Sequence, residues 1–271
     1  MLMRLIENLK RLTLCKKVCV GIIAIYLFVA LFAPVIMPYE VTDFSHPSLL
    51  EPCMEHLLGT DEMGHDILSL LLNGFRLTVV LALISGFFST LVGTIFAFLS
   101  CYMGKTADEL ITSFANLFLI VPELVVIMFV SVLASPTMLN TIFAIVFFSW
   151  ARVYKIIRGK LIDCMGRSKV QYTLLMKGNI IDVARKLLPD IMPSVSVFFV
   201  LQCNRAVMYE TTLSFFGVGD PLAKTWGKLI RAAMDYEELY YDNTFLWYLI
   251  PPILVVVVFV VSLALLVTEE N

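Results

Sequence analysis

Long apolar stretches alternate with polar segments of very unequal length along this chain, and that alternation predicts helices that cross a membrane. Val18–Met37 is an uncharged apolar run of 20 residues. A helix of that length spans a hydrocarbon layer of roughly 30 Å. Further spans are expected over about Phe75–Tyr102, Leu110–Leu133, Met138–Ile157, Ile191–Phe215 and a last stretch ending at Val267. Gly104 with Lys105, and Ser135 with Pro136, are expected to make short turns. The longer polar segments run from Tyr39 to Gly74, from Arg158 to Pro193 and from Phe216 to Asn243.

The segment from Arg158 to Pro193 stands apart because it is rich in cations: Arg158, Lys160, Arg167, Lys169, Lys177, Arg185 and Lys186. Its pattern predicts two short helices. Val170, Leu174 and Leu175 share one face, Gly178 is expected at a left-handed cap position, and Ile180, Val183, Ala184 and Leu187 form a second stripe that Pro189 ends. Two readings stay open for it: a turn gripped by a soluble partner, or a basic amphipathic segment lying on lipid headgroups.

Charge then orients the spans. Five cations precede Val18, one is Lys105 and nine lie between Arg152 and Lys186, whereas only Lys224, Lys228 and Arg231 fall on the opposite side. Cations stay in the cytoplasm, so six spans with both termini cytoplasmic are expected. The segment from Tyr39 to Gly74 carries seven acids, all three histidines and no lysine or arginine, as an external loop should. The first apolar run lacks the short core and small-residue cleavage site of a signal peptide, so it reads as a retained span. The resulting organisation is a cytoplasmic N-terminus (1–17), a first span (18–38), an extracytoplasmic loop (39–74), a core of five spans (75–267) containing the basic segment (158–190), and a cytoplasmic tail (268–271).

Composition agrees: 59% of the residues are hydrophobic and 15% charged, against roughly 25% charged in soluble domains. The net charge of -2 offers no basic field for nucleic acid. The six cysteines show no paired spacing, so free and mostly buried thiols are expected.

Neither a G-x-x-x-x-G-K-[ST] phosphate loop, nor H-E-x-x-H, nor G-x-S-x-G occurs. Candidate functional groups within the spans reduce to Glu123, Asn204, Arg205 and Glu210. Each should face a pore, a partner or another helix, since a charge at mid-span costs at least about 2.5–3.5 kcal/mol on insertion scales. Arg205 and Glu210 are five residues apart and poorly placed to pair with each other. His46, His56 and His65 match no metal-ligand spacing and read as solvated loop histidines. Thr60, with Asp61 and Glu62 behind it, reads as the start of a helix.

Two separated motifs carry a resemblance. His56 to Leu83 reads HLLGTDEMGHDILSLLLNGFRLTVVLAL, and Glu210 to Gly219 reads ETTLSFFGVG, followed by TWGKLI from Thr225. These resemble signatures of the second permease subunit of the dipeptide, oligopeptide and nickel class of ABC importers. The resemblance implies an all-α polytopic fold of the type I importer kind, with six transmembrane helices and a cytoplasmic coupling helix. It assigns structural motif roles to Gly59, Thr60, Asp61, Gly64, Asp66, Gly74, Arg76, Leu213, Ser214, Gly217, Gly219, Trp226 and Gly227. It makes Lys169, Tyr172, Leu174, Lys177 and Gly178 the contact with an ATPase, although the glutamate that usually opens this segment is replaced by Tyr172. Glu123, Arg205 and Glu210 become candidates for the pathway or an interface. The arginine of the family's Gly-Arg-Asp is His65 here.

The implied partners are a second homologous permease, two ATP-binding subunits that hold ATP and magnesium, an extracytoplasmic solute-binding protein and membrane lipid, with no nucleic acid. This chain itself is expected to hold no cofactor or metal and to catalyse no reaction. Peptides and nickel, cobalt or another metal as a chelate are both open as solutes. A secondary transporter driven by an ion gradient is an alternative, although no internal repeat supports it; a noncatalytic scaffold is another.

Overall fold

The computed structural model describes residues 13–241 and 243–268. Arg4, Lys10 and Arg11 of the expected cytoplasmic N-terminus, and Glu269 and Glu270 of the tail, lie outside the described residues. The elements are α1 (Leu14–Ile36), α2 (Ile67–Met103), α3 (Lys105–Ile120), α4 (Glu123–Leu133), α5 (Met138–Met165), α6 (Ser168–Leu175), α7 (Ile180–Phe215), α8 (Trp226–Asp235), α9 (Phe245–Tyr248) and α10 (Ile250–Val267). The chain is all-α; the isolated bridge between Thr60 and Asp66 is its one β feature among the described residues. Five helical stretches are long and apolar enough to cross a membrane, and six if the bent α3–α4 pair counts as one span.

Several boundaries differ from the apolar pattern. The third expected span is two helices bent by 82°. Pro122 supplies no amide hydrogen and forces Val121 out of the helical region, to φ -86° and ψ 137°. Pro189, by contrast, does not end the second helix of the basic segment: α7 runs from Ile180 through Pro189 and Pro193 to Phe215. Leu187 and Ile191, which flank Pro189, are 1% and 2% exposed, and this packing holds the helix through a lost backbone bond. Likewise α5 continues past Ile157 to Met165, so Arg158 lies within a continuous helix that begins in the fourth expected span. The segment from Phe216 to Asn243 contains α8, whose buried Trp226, Leu229 and Ala233 follow helical spacing.

The described residues form two compact units. The first takes the chain up to Ala82, with Pro136–Met138 and Val207 onward. Its centre is aromatic. Tyr26 of α1 stacks on Phe259 of α10 at 4.7 Å and 6°, and its hydroxyl donates to the Val255 carbonyl at 2.8 Å. Phe75 meets Trp226 edge-on at 4.9 Å.

The second unit comprises Leu83–Ser135 and Leu139–Ala206. Its core runs without interruption from Trp150, Val153, Tyr154, Ile157, Leu161 and Cys164 of α5 to Val170 of α6 and Val183, Leu187 and Ile191 of α7. Arg158 and Asp108 are joined through both Nε and Nη2, tying α5 to α3. All six cysteines are free; Cys19, Cys164 and Cys203 are buried, Cys101 is half-buried, and Cys15 and Cys53 are exposed.

Candidate functional site

The turn between α6 and α7 is built from a Schellman motif. The Lys177 amide donates to the Leu174 carbonyl at 3.0 Å and the Gly178 amide to the Thr173 carbonyl at 2.9 Å. The left-handed residue of that motif is Lys177, at φ 54°, not Gly178 as the pattern suggested. Gly178 occupies the next position for a different reason. A Cβ there would lie 2.6 Å from Thr173 Cγ2 and 3.0 Å from the Thr173 carbonyl oxygen. Asp182 then begins α7 by accepting the Asn179 amide at 3.0 Å, as in a capping box.

The base of this turn is buried and its tip is not. Val170 and Val183 are fully buried, whereas Tyr172 is 65%, Leu175 79% and Met176 68% exposed. Leu174 is less open, and Ile181 extends the same apolar surface. Of the cations, Lys169 is already engaged: its Nζ lies 2.7 Å from Asp190 Oδ2, which also takes Arg167 Nη1 at 2.8 Å. Leu175 and Met176, which the motif comparison passed over, are thus the most exposed apolar groups of α6 and its cap.

Glu123 stands first in α4, directly after the break, where a carboxylate is favoured by the helix dipole. Its Oε1 accepts the Ser149 hydroxyl, and its Oε2 takes Arg152 Nη2 at 3.0 Å and lies 3.8 Å from Arg205 Nη1. Gln202 braces the same helix by donating to the Ser149 carbonyl at 2.8 Å. Two of the three charged candidates, Glu123 and Arg205, therefore meet. Arg152 and Ser149 complete the cluster; the charge pattern had assigned Arg152 to the cytoplasmic side.

Glu210 lies in the other unit and does something else. It is 3% exposed; Ser214 Oγ donates to it at 2.7 Å and Thr78 Oγ1 at 3.3 Å. Ser214 in turn accepts from Thr225 Oγ1 at 3.1 Å. Trp226 Nε1 donates to the Leu71 carbonyl at 3.2 Å, its ring lying against Gly74. Gly227 packs on the Thr211 carbonyl, and Gly219 on Ser214. The two sequence motifs are thus one structural joint between α2, the end of α7 and the start of α8. Leu213 is buried, Gly217 holds a left-handed cap at φ 75°, and Arg76 is exposed. Glu210→Ala should lower the thermal midpoint of the purified protein by leaving two buried hydroxyls unpaired, at about 1–3 kcal/mol each. Glu210→Gln should lose much less, and differential scanning fluorimetry of both variants checks this.

The rest of the first motif folds the loop before α2. Thr60 does not start a helix: its hydroxyl donates to the Pro47 carbonyl at 2.6 Å and accepts the Leu50 amide at 2.9 Å. The cap of α2 is Asp66, which accepts the Ser69 amide at 2.8 Å. Gly59 and Gly64 take φ values of 73° and 85°, and a Cβ on either would lie within 2.3 Å of a facing carbonyl oxygen. His56 and His65 are buried rather than solvated. His56 Nδ1 lies 2.9 Å from Asp66 Oδ1, and His65 Nδ1 the same distance from Asp61 Oδ2. Among the described residues no group of three His, Cys, Asp or Glu side chains converges as a metal ion would require.

A cavity of about 500 Å³ opens beside this loop, lined by Asp61, Glu62, Lys224, Lys228, Arg231 and Asp235 among others. Burial holds the Lys228 ammonium below its usual pKa. Glu62 is raised by burial and by the neighbouring Asp61 and Asp235 carboxylates.

Comparison with known proteins agrees with this geometry. A family model described as "binding-protein-dependent transport system inner membrane component" matches residues 89–268. The di/tripeptide transport system permease protein DppC of Pseudomonas aeruginosa is 29% identical over 220 residues, covering 78% of this chain and 73% of that protein. The oligopeptide transport system permease protein OppC of Bacillus subtilis is 27% identical over 223 residues, covering 79% and 72%. The glutathione transport system permease protein GsiD of Pectobacterium atrosepticum is 26% identical over 209 residues, covering 76% and 69%. The family match takes in more than half of the chain, including the break at Pro122, the turn between α6 and α7 and the α7 and α8 side of the Glu210 joint, and this polytopic membrane protein belongs to the binding-protein-dependent transport system inner membrane components.

Proposed function

We propose that this chain is one of two permease subunits in an ATP-driven importer of di- and oligopeptides. The observation that carries the reading is the turn between α6 and α7, apolar and exposed at its tip and rooted at its base in the same core as the spans. The solute class follows from the relatives, which are named for di- and tripeptides, oligopeptides and glutathione.

In this reading the turn and both chain ends face the cytoplasm. ATP and magnesium are held by two partner ATP-binding subunits, because this sequence has no phosphate-loop motif. Their closure on ATP pulls the turn, and the pull reaches the spans because Val170, Val183 and Leu187 pack on Ile157, Leu161 and Cys164 with no flexible link. Closely packed cores transmit displacement rather than absorbing it. A second homologous permease completes the pathway. On the opposite side an extracytoplasmic binding protein delivers the solute, docking on the loop before α2 and on the segment containing α8, where the cavity with Lys224 and Arg231 lies.

Deleting the gene for this chain should abolish uptake of labelled short peptides while the ATP-binding subunits remain folded. Gly178→Val tests the lever. Its branched side chain collides with Thr173 and opens the Schellman turn, so the complex should still assemble and hydrolyse ATP while peptide uptake falls by most of its value. Uptake equal to the parent at equal ATP hydrolysis would overturn the proposed role of the turn.

A further inference from the structure

The mid-depth charges of the second unit are not explained by the coupling turn. Between residues 110 and 157 and between residues 191 and 209 the chain carries one acid, Glu123, and three cations, Arg152, Lys155 and Arg205. Counted along its own helix, Arg152 lies fourteen residues from Met138, and Arg205 lies ten from Phe215. At 1.5 Å per residue these are roughly 21 Å and 15 Å, so Arg205 lies near the middle of a layer of roughly 30 Å and Arg152 about two-thirds of the way across it. A guanidinium at that depth does not face hydrocarbon. Yet the side chains of Arg152 and Arg205 are 42% and 31% exposed, so their open faces look onto the pathway or onto a partner. Glu123, only 8% exposed, is the anchor that holds both at the Pro122 break. Among the described residues Glu123 is the one acceptor of Arg152, whose Nε is buried without a partner.

We propose that Arg152 and Arg205, positioned by Glu123, form a carboxylate-recognition station in the pathway that takes the C-terminal carboxylate of a passing peptide. The proposal rests on the peptide-importer reading above. A planar guanidinium matches a carboxylate in shape as well as charge, through paired N–H donors. The chain's single local carboxylate is spread over a surplus of cations, so a second one brought by the solute is favoured. Because the site lies behind the binding protein, it filters solutes by a free C-terminus whatever their side chains.

The test uses the full complex with its binding protein in proteoliposomes, and one peptide sequence ending either in a free carboxylate or in an amide. For each peptide, uptake by a variant is divided by uptake by the parent, so the preference of the binding protein cancels. Arg152→Gln should lower the free-acid ratio by roughly tenfold and leave the amide ratio within about twofold, with Arg152→Lys recovering much of the loss and Arg205→Gln behaving like Arg152→Gln. If the binding protein delivers no amide, uptake of the free acid should fall in the order Lys, Gln, Glu at position 152 while stimulated ATP hydrolysis is unchanged. Equal losses for both peptides, no loss for either, or loss of copurification with the second permease would overturn the proposal, the last by assigning the arginines to a subunit contact. A parent complex that moves neither peptide would instead overturn the importer reading itself.

Discussion

Replacing Leu175 and Met176 together with aspartate should release the ATP-binding subunits from this chain. At 79% and 68% exposure both side chains already meet solvent in the isolated chain, so new carboxylates there are hydrated and alter its own stability by only about 0.5 kcal/mol. In a docked complex the balance reverses. Each lost apolar anchor forfeits about 1.5–3 kcal/mol of burial, and each carboxylate carried into a cleft without a partner costs several kcal/mol more unless it stays wet. A loss of about 4 kcal/mol already weakens binding roughly a thousandfold. Copurification should therefore disappear and stimulated ATP hydrolysis with it, while the chain still reaches the membrane in normal amount. Val170→Asp, made at a fully buried site about one and a half helical turns away, should instead prevent accumulation of the chain. The same pair of substitutions separates the two readings that the sequence left open for this segment. A turn lying on lipid headgroups would lose membrane contact and keep its partners; unchanged copurification with the double aspartate variant would reject the docking surface.

How much of this was legible in the residues depended on what kind of physics placed them. Apolar runs long enough to cross a membrane announce themselves by length, and five of the six expected spans contain a long helix at the expected place. The sixth contains a break because Pro122 acts where neighbouring packing does not override it, whereas Pro189 sits between the buried Leu187 and Ile191 and leaves α7 intact. The residue type is the same in both cases, and the deciding contacts are distant in sequence. Charge drew attention to Glu123 and Arg205, which do meet, but not to Ser149, an ordinary hydroxyl, nor to Arg152, which a cation count had placed in the cytoplasm. Glu210 was visible as a costly group and Ser214 as part of a motif, but the bonds that Thr78 and Ser214 donate to Glu210, and Thr225 to Ser214, were not, since threonine and serine are common in spans and satisfy themselves on their own backbone. The turn shows the limit at single-residue scale. Glycine is the favoured left-handed cap, yet Lys177 takes that conformation and Gly178 is needed for its missing side chain.

Gly74→Val should be among the most damaging single substitutions in the chain, and the reason lies 152 positions away in Trp226. A Cβ on Gly74 would sit 2.3 Å from Trp226 Cδ1 and 2.6 Å from Nε1, closer than any real carbon contact. The indole has little room to retreat. It is fully buried, its Nε1 donates to the Leu71 carbonyl, and Tyr26, Phe75 and Phe259 pack edge-on around it at 6.0, 4.9 and 6.0 Å. Behind it, Gly227 packs so closely on α7 that a Cβ there would lie 2.5 Å from the Thr211 carbonyl oxygen, so α8 shifts only by dismantling the joint with α7. Overpacking of a core costs about 1–3 kcal/mol where neighbours yield, and more is expected where they do not. Trp226→Ala removes the obstacle but leaves a cavity, at about 3–5 kcal/mol. The two effects share one cause and should not add. The double variant Gly74→Val with Trp226→Ala is expected to be no less stable than Trp226→Ala alone, because the valine fills part of the space the indole vacates. Thermal unfolding of the parent and the three variants in nanodiscs measures this cycle. Additive losses would mean that Gly74 is required for some reason other than the approach of Trp226, and the joint between the two sequence motifs would need another account.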